Sequence, residues 1–151
     1  MRRPEVMPER ETVERAREDA REGRSPSTQA GEFVREEIHH IREGKHGASS
    51  PQQAIAIGLS KARRAGVKLA APKGPASVRK KAEQDTEAAK NPHHETSRKR
   101  SRAVLGALKR ESKRSASHQA LSQQAKKSSA NRSSGARRAS ALNAARTRRS
   151  A

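Results

Sequence analysis

The chain has 151 residues, of which 30% are hydrophobic and 1% aromatic, so its composition argues against a large buried core. Its 35 Lys and Arg residues outnumber 16 Asp and Glu residues, and the resulting formal charge of +19 indicates a polyanionic partner. The absence of cysteine excludes disulfides, thiolate metal sites and cysteine nucleophiles.

The N-terminal region, residues 1–24, predicts a polar helix after a short extension. Pro8 suits a first helical position, Glu and Arg alternate over residues 8–22, and Gly23 ends the pattern. Pairs such as Glu11 with Arg15 each contribute only about 0.2–0.5 kcal/mol, so this helix is marginal by itself.

Residues 25–71 predict a helical hairpin that forms the core. The first helix follows Ser25 and ends at Gly44, and its apolar stripe is Ala30, Phe33, Val34, Ile38 and Ile41. The second helix starts with a capping box formed by Ser50 and Gln53, and it ends at Gly66. Its stripe is Ile55, Gly58, Leu59 and Ala62. The two stripes are expected to pack across the turn of residues 44–49.

Residues 72–96 predict a hinge followed by a polar helix. Pro72, Gly74 and Pro75 break the chain, and residues 77–90 then have helical composition without an evident apolar face. This region is interpreted as a spacer.

Residues 97–151 form a basic tail dominated by Ser, Ala, Arg and Lys. The net charge is −2 over residues 1–44, +6 over 45–96 and +15 over 97–151, where Glu111 is the single acid. Self-repulsion at this charge predicts a largely disordered tail that gains order on binding a polyanion. The expected fold class is therefore mostly α: a small hairpin, isolated helices and a disordered tail.

Three runs in the front half carry a family resemblance: ETVERARED at 11–19, STQAGEFVREEI at 27–38 and AIAIGLSKARRAG at 54–66. With these runs the chain resembles, over residues 7–73, an uncharacterised family of small basic bacterial proteins often labelled "plasmid stabilization protein". The resemblance implies a DNA-linked role. It implies no particular functional residues.

The basic tail predicts non-catalytic nucleic-acid binding, mainly through the phosphate backbone and without sequence preference. Because Phe33 is the only aromatic residue, stacking on unpaired bases is unavailable, and duplex DNA is favoured over single strands. Duplex DNA is the expected partner in preference to RNA, and structured RNA stays open. The residues predicted to contact nucleic acid are Arg98, Lys99, Arg100, Arg102, Lys109, Arg110, Lys113, Arg114, Lys126, Lys127, Arg137, Arg138, Arg146, Arg148 and Arg149.

The hairpin suggests further contacts. Gln53, Arg64 and Ile57 lie on the face opposite the apolar stripe, which would suit either a recognition helix or a protein partner such as a second copy of the chain. Lys45, beside the start of the second helix, could hold one phosphate. The candidate contacts are Lys45, Gln53, Lys61, Arg63 and Arg64.

Metal and catalytic sites are not predicted. His39–His40 and His93–His94 are adjacent pairs, which project about 100° apart on a helix and do not chelate one ion. Ser77 and Lys80 match an S-x-x-K pattern, but the partner motifs of that enzyme class are absent. No cofactor is expected.

The expected location is the cytoplasm, in association with the nucleoid, because no apolar stretch of about 18 residues could span a membrane. Two other functions stay open. The same tail would serve an RNA- or ribosome-associated factor. Alternatively, the hairpin would be the primary element of an antitoxin- or partition-type adaptor, with the tail as an auxiliary.

Overall fold

The computed structural model describes residues 8–91 and 97–149. This part of the chain is mostly helical and contains no strand, which confirms the predicted class in its main feature. The helices are α1 (Arg10–Arg21), α2 (Pro26–Glu43), α3 (Pro51–Arg64), α4 (Ala76–Lys90), α5 (Arg98–Lys109), α6 (His118–Ala130) and α7 (Ser134–Arg149), with a 3₁₀ turn at Lys113–Ala116. Most of the N-terminal extension and the His93–His94 pair lie outside the described residues.

The start and end signals of the hairpin helices act as the sequence predicts. Ser50 Oγ accepts a hydrogen bond of 3.1 Å from Gln53 N, and Gln53 Oε1 accepts one of 2.6 Å from Ser49 N. The first bond satisfies a donor that the helix N-terminus leaves unpaired, and the second holds the chain one residue before the Ser50 N–H that a capping box would use. At the end of α2, Gly44 adopts a φ of 81°, which closes the helix in the left-handed conformation that glycine tolerates best.

The core of this region consists of two clusters built mainly from small residues. Phe33 packs with Ala16 of α1, Ala62 of α3 and Val67, while Ile41 packs with Ala54 and other alanines. Alanines let the helices approach closely. The closest approach lies where Gly58 of α3 faces Val34 of α2, because a Cβ on Gly58 would lie 2.7 Å from Val34 Cα.

Helix α4 is not the spacer that its composition suggested. It packs against α3, and both Ala82 and Asp85 on its inner face are buried. The contact is held by polar bonds, because Asp85 accepts hydrogen bonds from Ser60 and Arg64 of α3. The inner face of α4 contains a buried aspartate beside alanine, so its sequence resembles that of a fully polar helix.

The start of the basic tail also belongs to the core. Ala116 of the 3₁₀ turn is fully buried beside Ile41, and its carbonyl accepts a 2.9 Å hydrogen bond from Arg42 Nε. Gly47 N donates to Leu108 O at 2.8 Å, and Ala48 N donates to Ser112 O at 3.1 Å. The loop between α2 and α3 is therefore fastened to residues 108–116.

The prediction of a largely disordered tail is wrong, because helices α5, α6 and α7 cover most of residues 97–149. Ala, Leu, Gln, Lys and Arg have the highest helix propensities, and this local preference outweighs repulsion between cations spread along the helices. The chain divides into two compact units, Met1–Ser117 and His118–Ala151. Within the second unit, no described residue of α6 or α7 is buried.

Candidate functional site

A cluster of ionisable side chains lies inside the first unit. It contains Glu36, Glu37 and His40 of α2, Lys61 of α3, and His46 of the connecting loop, and all five are buried. Glu37 is fully buried, because its position is four residues from both Phe33 and Ile41 on the apolar face of α2. We call these five residues the buried polar cluster.

Lys61 is the ammonium that approaches both carboxylates of the cluster. Its Nζ forms a short ion pair with Glu37 Oε1 and lies 3.5 Å from Glu36 Oε1. The other oxygen of Glu36 accepts a 3.1 Å hydrogen bond from Glu9 N. Because buried charges are costly to remove from water, each partner depends on the others for its place in the fold.

The two histidines turn one ring nitrogen outward and the other toward Glu37. His40 Nε2 lies 3.0 Å from Glu9 Oε1, and His46 Nδ1 lies 3.0 Å from the Gly47 carbonyl oxygen. The inward nitrogens are His40 Nδ1, at 3.8 Å from Glu37 Oε1, and His46 Nε2, at 3.3 Å from Glu37 Oε2. Glu37 therefore faces an imidazole on either side.

Charge coupling shifts the titration of these groups. Burial alone would raise the pKa of Glu37, but the facing His40 and His46 rings and the Lys61 ammonium hold it well below its usual range. The Glu37 carboxylate in turn raises the pKa of His40 and of His46 against the opposing effect of desolvation. The cluster thus favours an ionised Glu37 between two imidazoles whose pKa values are raised.

The adjacent histidine pairs of the sequence do not correspond to the set of side chains that the fold brings together. Glu37, His40 and His46 bring ligand atoms within 4.8 Å of one another. Two local signals were available: Glu37 interrupts an apolar stripe, and His40 follows it at helical spacing. The position of His46 had no local signal, because it depends on how the loop folds back over α2.

The residues predicted to contact nucleic acid from the hairpin are mostly engaged elsewhere. Lys61 and Arg63 are buried, and Arg63 donates to the Ala70 carbonyl, so neither faces a duplex. Gln53 is occupied in the helix cap, and Arg64 Nε donates to Asp85 Oδ1 at 2.8 Å. Lys45 pairs with Glu43 at 3.1 Å. The burial of Lys61 and Arg63 therefore argues against these two contacts, and α4 packs against α3 at Arg64.

Asp85 anchors α4 on α3, and its replacement gives a pH-dependent prediction. Burial would raise the pKa of Asp85, but hydrogen bonds from Lys81, Ser60 and Arg64 lower it. A lowered pKa means that Asp85 stabilises the fold above its ordinary pKa and loses this effect as the pH falls. Asp85→Asn is expected to reduce the free energy of unfolding by about 1 kcal/mol at neutral pH, measured by urea denaturation.

The matched control is Glu87→Gln, also on α4, where the exposed Glu87 pairs with Lys90. This control should change the free energy of unfolding by less than about 0.5 kcal/mol. The deficit of Asp85→Asn should shrink as the pH falls below about 4. An equal deficit at neutral and acidic pH would contradict the role assigned to the charge.

The fifteen tail cations predicted to bind nucleic acid are all exposed, and they lie on α5, on α6, on α7 and in the segment around the 3₁₀ turn. On α5, Arg98, Arg102 and Lys109 share one face, because four and eleven residues correspond to nearly whole helical turns. On α7, Arg137 aligns with Arg148 in the same way. The helices therefore arrange these cations in rows about 16 Å long.

The charge environment differs between the two halves of the chain. Cations of residues 8–91 commonly pair with carboxylates, as Arg15 does with Glu32 and Lys81 with Asp85. Residues 97–149 contain 16 Lys and Arg residues but only one acid, Glu111. Carboxylate side chains of this segment can therefore neutralise only a small part of its charge.

No family model matches the chain, and no curated protein or solved structure matches it. Among the described residues, none of the helices has both the length and the apolar character needed to cross a membrane.

Proposed function

We propose that the protein is a non-catalytic nucleic-acid-binding protein that holds duplex DNA through the cationic helices of residues 97–149. The observation that carries the proposal is the charge of this segment: its Lys and Arg residues outnumber its single acid sixteen to one, and the fifteen predicted contact residues are exposed. Cations held in rows release condensed counterions when they meet phosphates, and this release drives binding.

The placement of Phe33 supports a duplex rather than an unpaired strand. Phe33, the one Phe, Tyr or Trp residue of the sequence, is fully buried in the core and is not offered to a flipped or unstacked base. Proteins that bind single strands typically stack bases on aromatic side chains. Lys61, Arg63 and Arg64 are buried or paired within the fold, which leaves phosphate contacts as the main mode and favours binding without sequence preference.

The hairpin acts in this proposal as a scaffold for the first cationic helix. Backbone bonds from Gly47 and Ala48 to the 108–116 segment tie the end of α5 to the loop between α2 and α3. A tethered helix loses less conformational freedom on binding than a disordered one. The DNA-linked role implied by the family resemblance, in plasmid or nucleoid maintenance, would use this surface.

The test compares two variants that remove equal charge from different places. In the tail variant, eight cations of the second unit become glutamine: Lys126, Lys127, Arg132, Arg137, Arg138, Arg146, Arg148 and Arg149. In the control variant, eight exposed cations of the first unit become glutamine: Arg10, Arg17, Arg21, Lys68, Lys73, Arg79, Lys80 and Lys90. Glutamine keeps helix propensity close to that of Lys and Arg.

Fluorescence anisotropy with a labelled DNA duplex should show that the tail variant binds at least about 100-fold more weakly, whereas the control stays close to the native chain. If about eight phosphates are contacted, the native log K should fall with log salt at a slope near −7. Equal losses of affinity in both variants would show that binding depends on the net charge of the chain and not on the cationic helices. Tighter binding to a structured RNA of similar length would show that RNA, and not duplex DNA, is the target.

A further inference from the structure

Three side chains of the buried polar cluster present the donor atoms of a metal centre. Glu37 offers a carboxylate oxygen and His40 and His46 each offer an imidazole nitrogen, and these atoms lie within 4.8 Å of one another. In a tetrahedral zinc site with bonds of about 2.0 Å, ligand atoms lie about 3.3 Å apart. The 3.3 Å separation of His46 Nε2 and Glu37 Oε2 already has this value, and His40 must move closer to these two atoms to complete the set.

Each imidazole is oriented as a metal-bound imidazole is. A histidine ligand commonly donates its outer N–H to a carboxylate or a carbonyl, which directs the lone pair of the other nitrogen at the metal. His40 has this outer bond to Glu9 Oε1, and His46 has it to the Gly47 carbonyl, both at 3.0 Å. The two inward nitrogens face Glu37 from different structural elements, α2 and the loop.

A buried oxygen points independently to a ligand at this place. Glu37 Oε2 is buried and has no hydrogen-bond partner among the described residues, although Glu37 Oε1 is held by Lys61. An orphaned buried carboxylate oxygen costs free energy unless a cation or a donor reaches it. This oxygen lies 3.3 Å from His46 Nε2 but forms no hydrogen bond with that ring.

We propose that Glu37, His40 and His46 bind a divalent transition-metal ion, with zinc as the ion that the ligand set fits best. Two imidazoles and one carboxylate match the ligand preferences of zinc, whereas calcium and magnesium prefer oxygen ligands alone. Lys61 keeps its contact with Glu37 Oε1, so the ion binds through Oε2. The fourth position is left to water or to a further carboxylate.

A surface cleft lies next to the buried polar cluster. A cleft between α1 and α2 is lined by Glu9, Thr12, Arg15, Arg35, Glu36 and His39. Two of these residues also contact the cluster, because Glu9 bonds to His40 and Glu36 faces Lys61.

Metal binding would fasten the loop that carries His46 to helix α2. The same loop bonds through Gly47 and Ala48 to residues 108–116. The ion would therefore strengthen the attachment of the basic segment to the hairpin. This inference does not depend on nucleic-acid binding, because it concerns only residues of the first unit.

The experiment uses the full chain without an affinity tag, freed of metal by chelator and then titrated with zinc by calorimetry. We expect one zinc ion per chain, and cobalt as a replacement ion should give the intense visible absorption of a tetrahedral site. His40→Ala and His46→Ala should each lower zinc affinity by more than about 100-fold, because each removes a ligand. His39→Ala is the matched control, since His39 neighbours His40 but is exposed and pairs with Glu43.

Circular dichroism checks that each variant is folded. Zinc binding that survives in folded His40→Ala and His46→Ala, or that is lost equally in His39→Ala, overturns the proposal. Should the ligand variants unfold, the cobalt spectrum of the native chain decides: a weak six-coordinate spectrum, or none, overturns the site. These measurements contain no nucleic acid, so their outcome is separate from that of the DNA-binding test.

Discussion

Lys61→Met is expected to lower the free energy of unfolding of the first unit by about 3–5 kcal/mol in the presence of a chelator. Lys61 is 5% exposed and is the ammonium that contacts both Glu36 and Glu37. Methionine fills a similar volume, so the effect arises from the charge and not from a cavity. Its removal leaves Glu37 with only the histidine rings as partners and Glu36 with only the Glu9 N–H, and an uncompensated buried charge is strongly destabilising.

Guanidinium denaturation followed by circular dichroism measures this loss. The matched control is Lys80→Met on α4, where the side chain is exposed, and it should change the free energy of unfolding by less than about 0.5 kcal/mol. Combining Lys61→Met with Glu37→Gln should cost less than the sum of the single changes, by about 0.5–3 kcal/mol. Additive losses would show that Lys61 and Glu37 are not coupled.

Gly58→Val is expected to destabilise the packing of α2 on α3 by about 3 kcal/mol. A Cβ at this position would lie 2.7 Å from Val34 Cα and 2.9 Å from Val34 N, distances at which backbone atoms must move apart. Backbone cannot rotate away as a side chain can, so the two helices must separate. Separation would loosen the contacts of Phe33 with Ala62 across the same interface.

Gly31→Val provides the control, because Gly31 also lies within a helix and a Cβ there meets no atom within 4 Å. Its effect should stay within about 0.5 kcal/mol, since valine and glycine differ little in helix propensity. Thermal denaturation of the two variants compares them directly. Similar melting temperatures for both would contradict the close approach of α2 and α3.

The parts of the fold that depend on neighbouring residues were predictable. Helices α1 to α4 begin and end within two residues of the expected positions, because proline, serine caps and glycine act within one helical turn. The stripe containing Phe33 and Ile41 identified the buried face of α2. The helices of the tail were not predicted, because the helix propensity of its Ala, Lys and Arg residues outweighs the repulsion expected from its net charge.

The candidate sites likewise differ in how far the sequence predicts them. Exposure of the tail cations followed from composition, because a helix with almost no large apolar residues has nothing to bury. The contact of Asp85 with α3 did not follow, since polar and buried positions on α4 differ only through what packs against them. Lys61 and Arg63 were predicted to face solvent, and only the rotation of α3 against α2 determined that they are buried.

Composition and local pattern therefore determined the helical class, the positions of the first four helices and the concentration of positive charge after residue 96. The tertiary structure decided that Glu37, His46 and Lys61 meet, that Glu9 bonds to His40, and that Ala116 closes the core beside Ile41. The physical reason is the distance along the chain over which each interaction acts. Propensity and capping act between residues less than one or two turns apart, whereas these contacts join positions far apart in the chain, and only the packing of helices around a shared core brings them together.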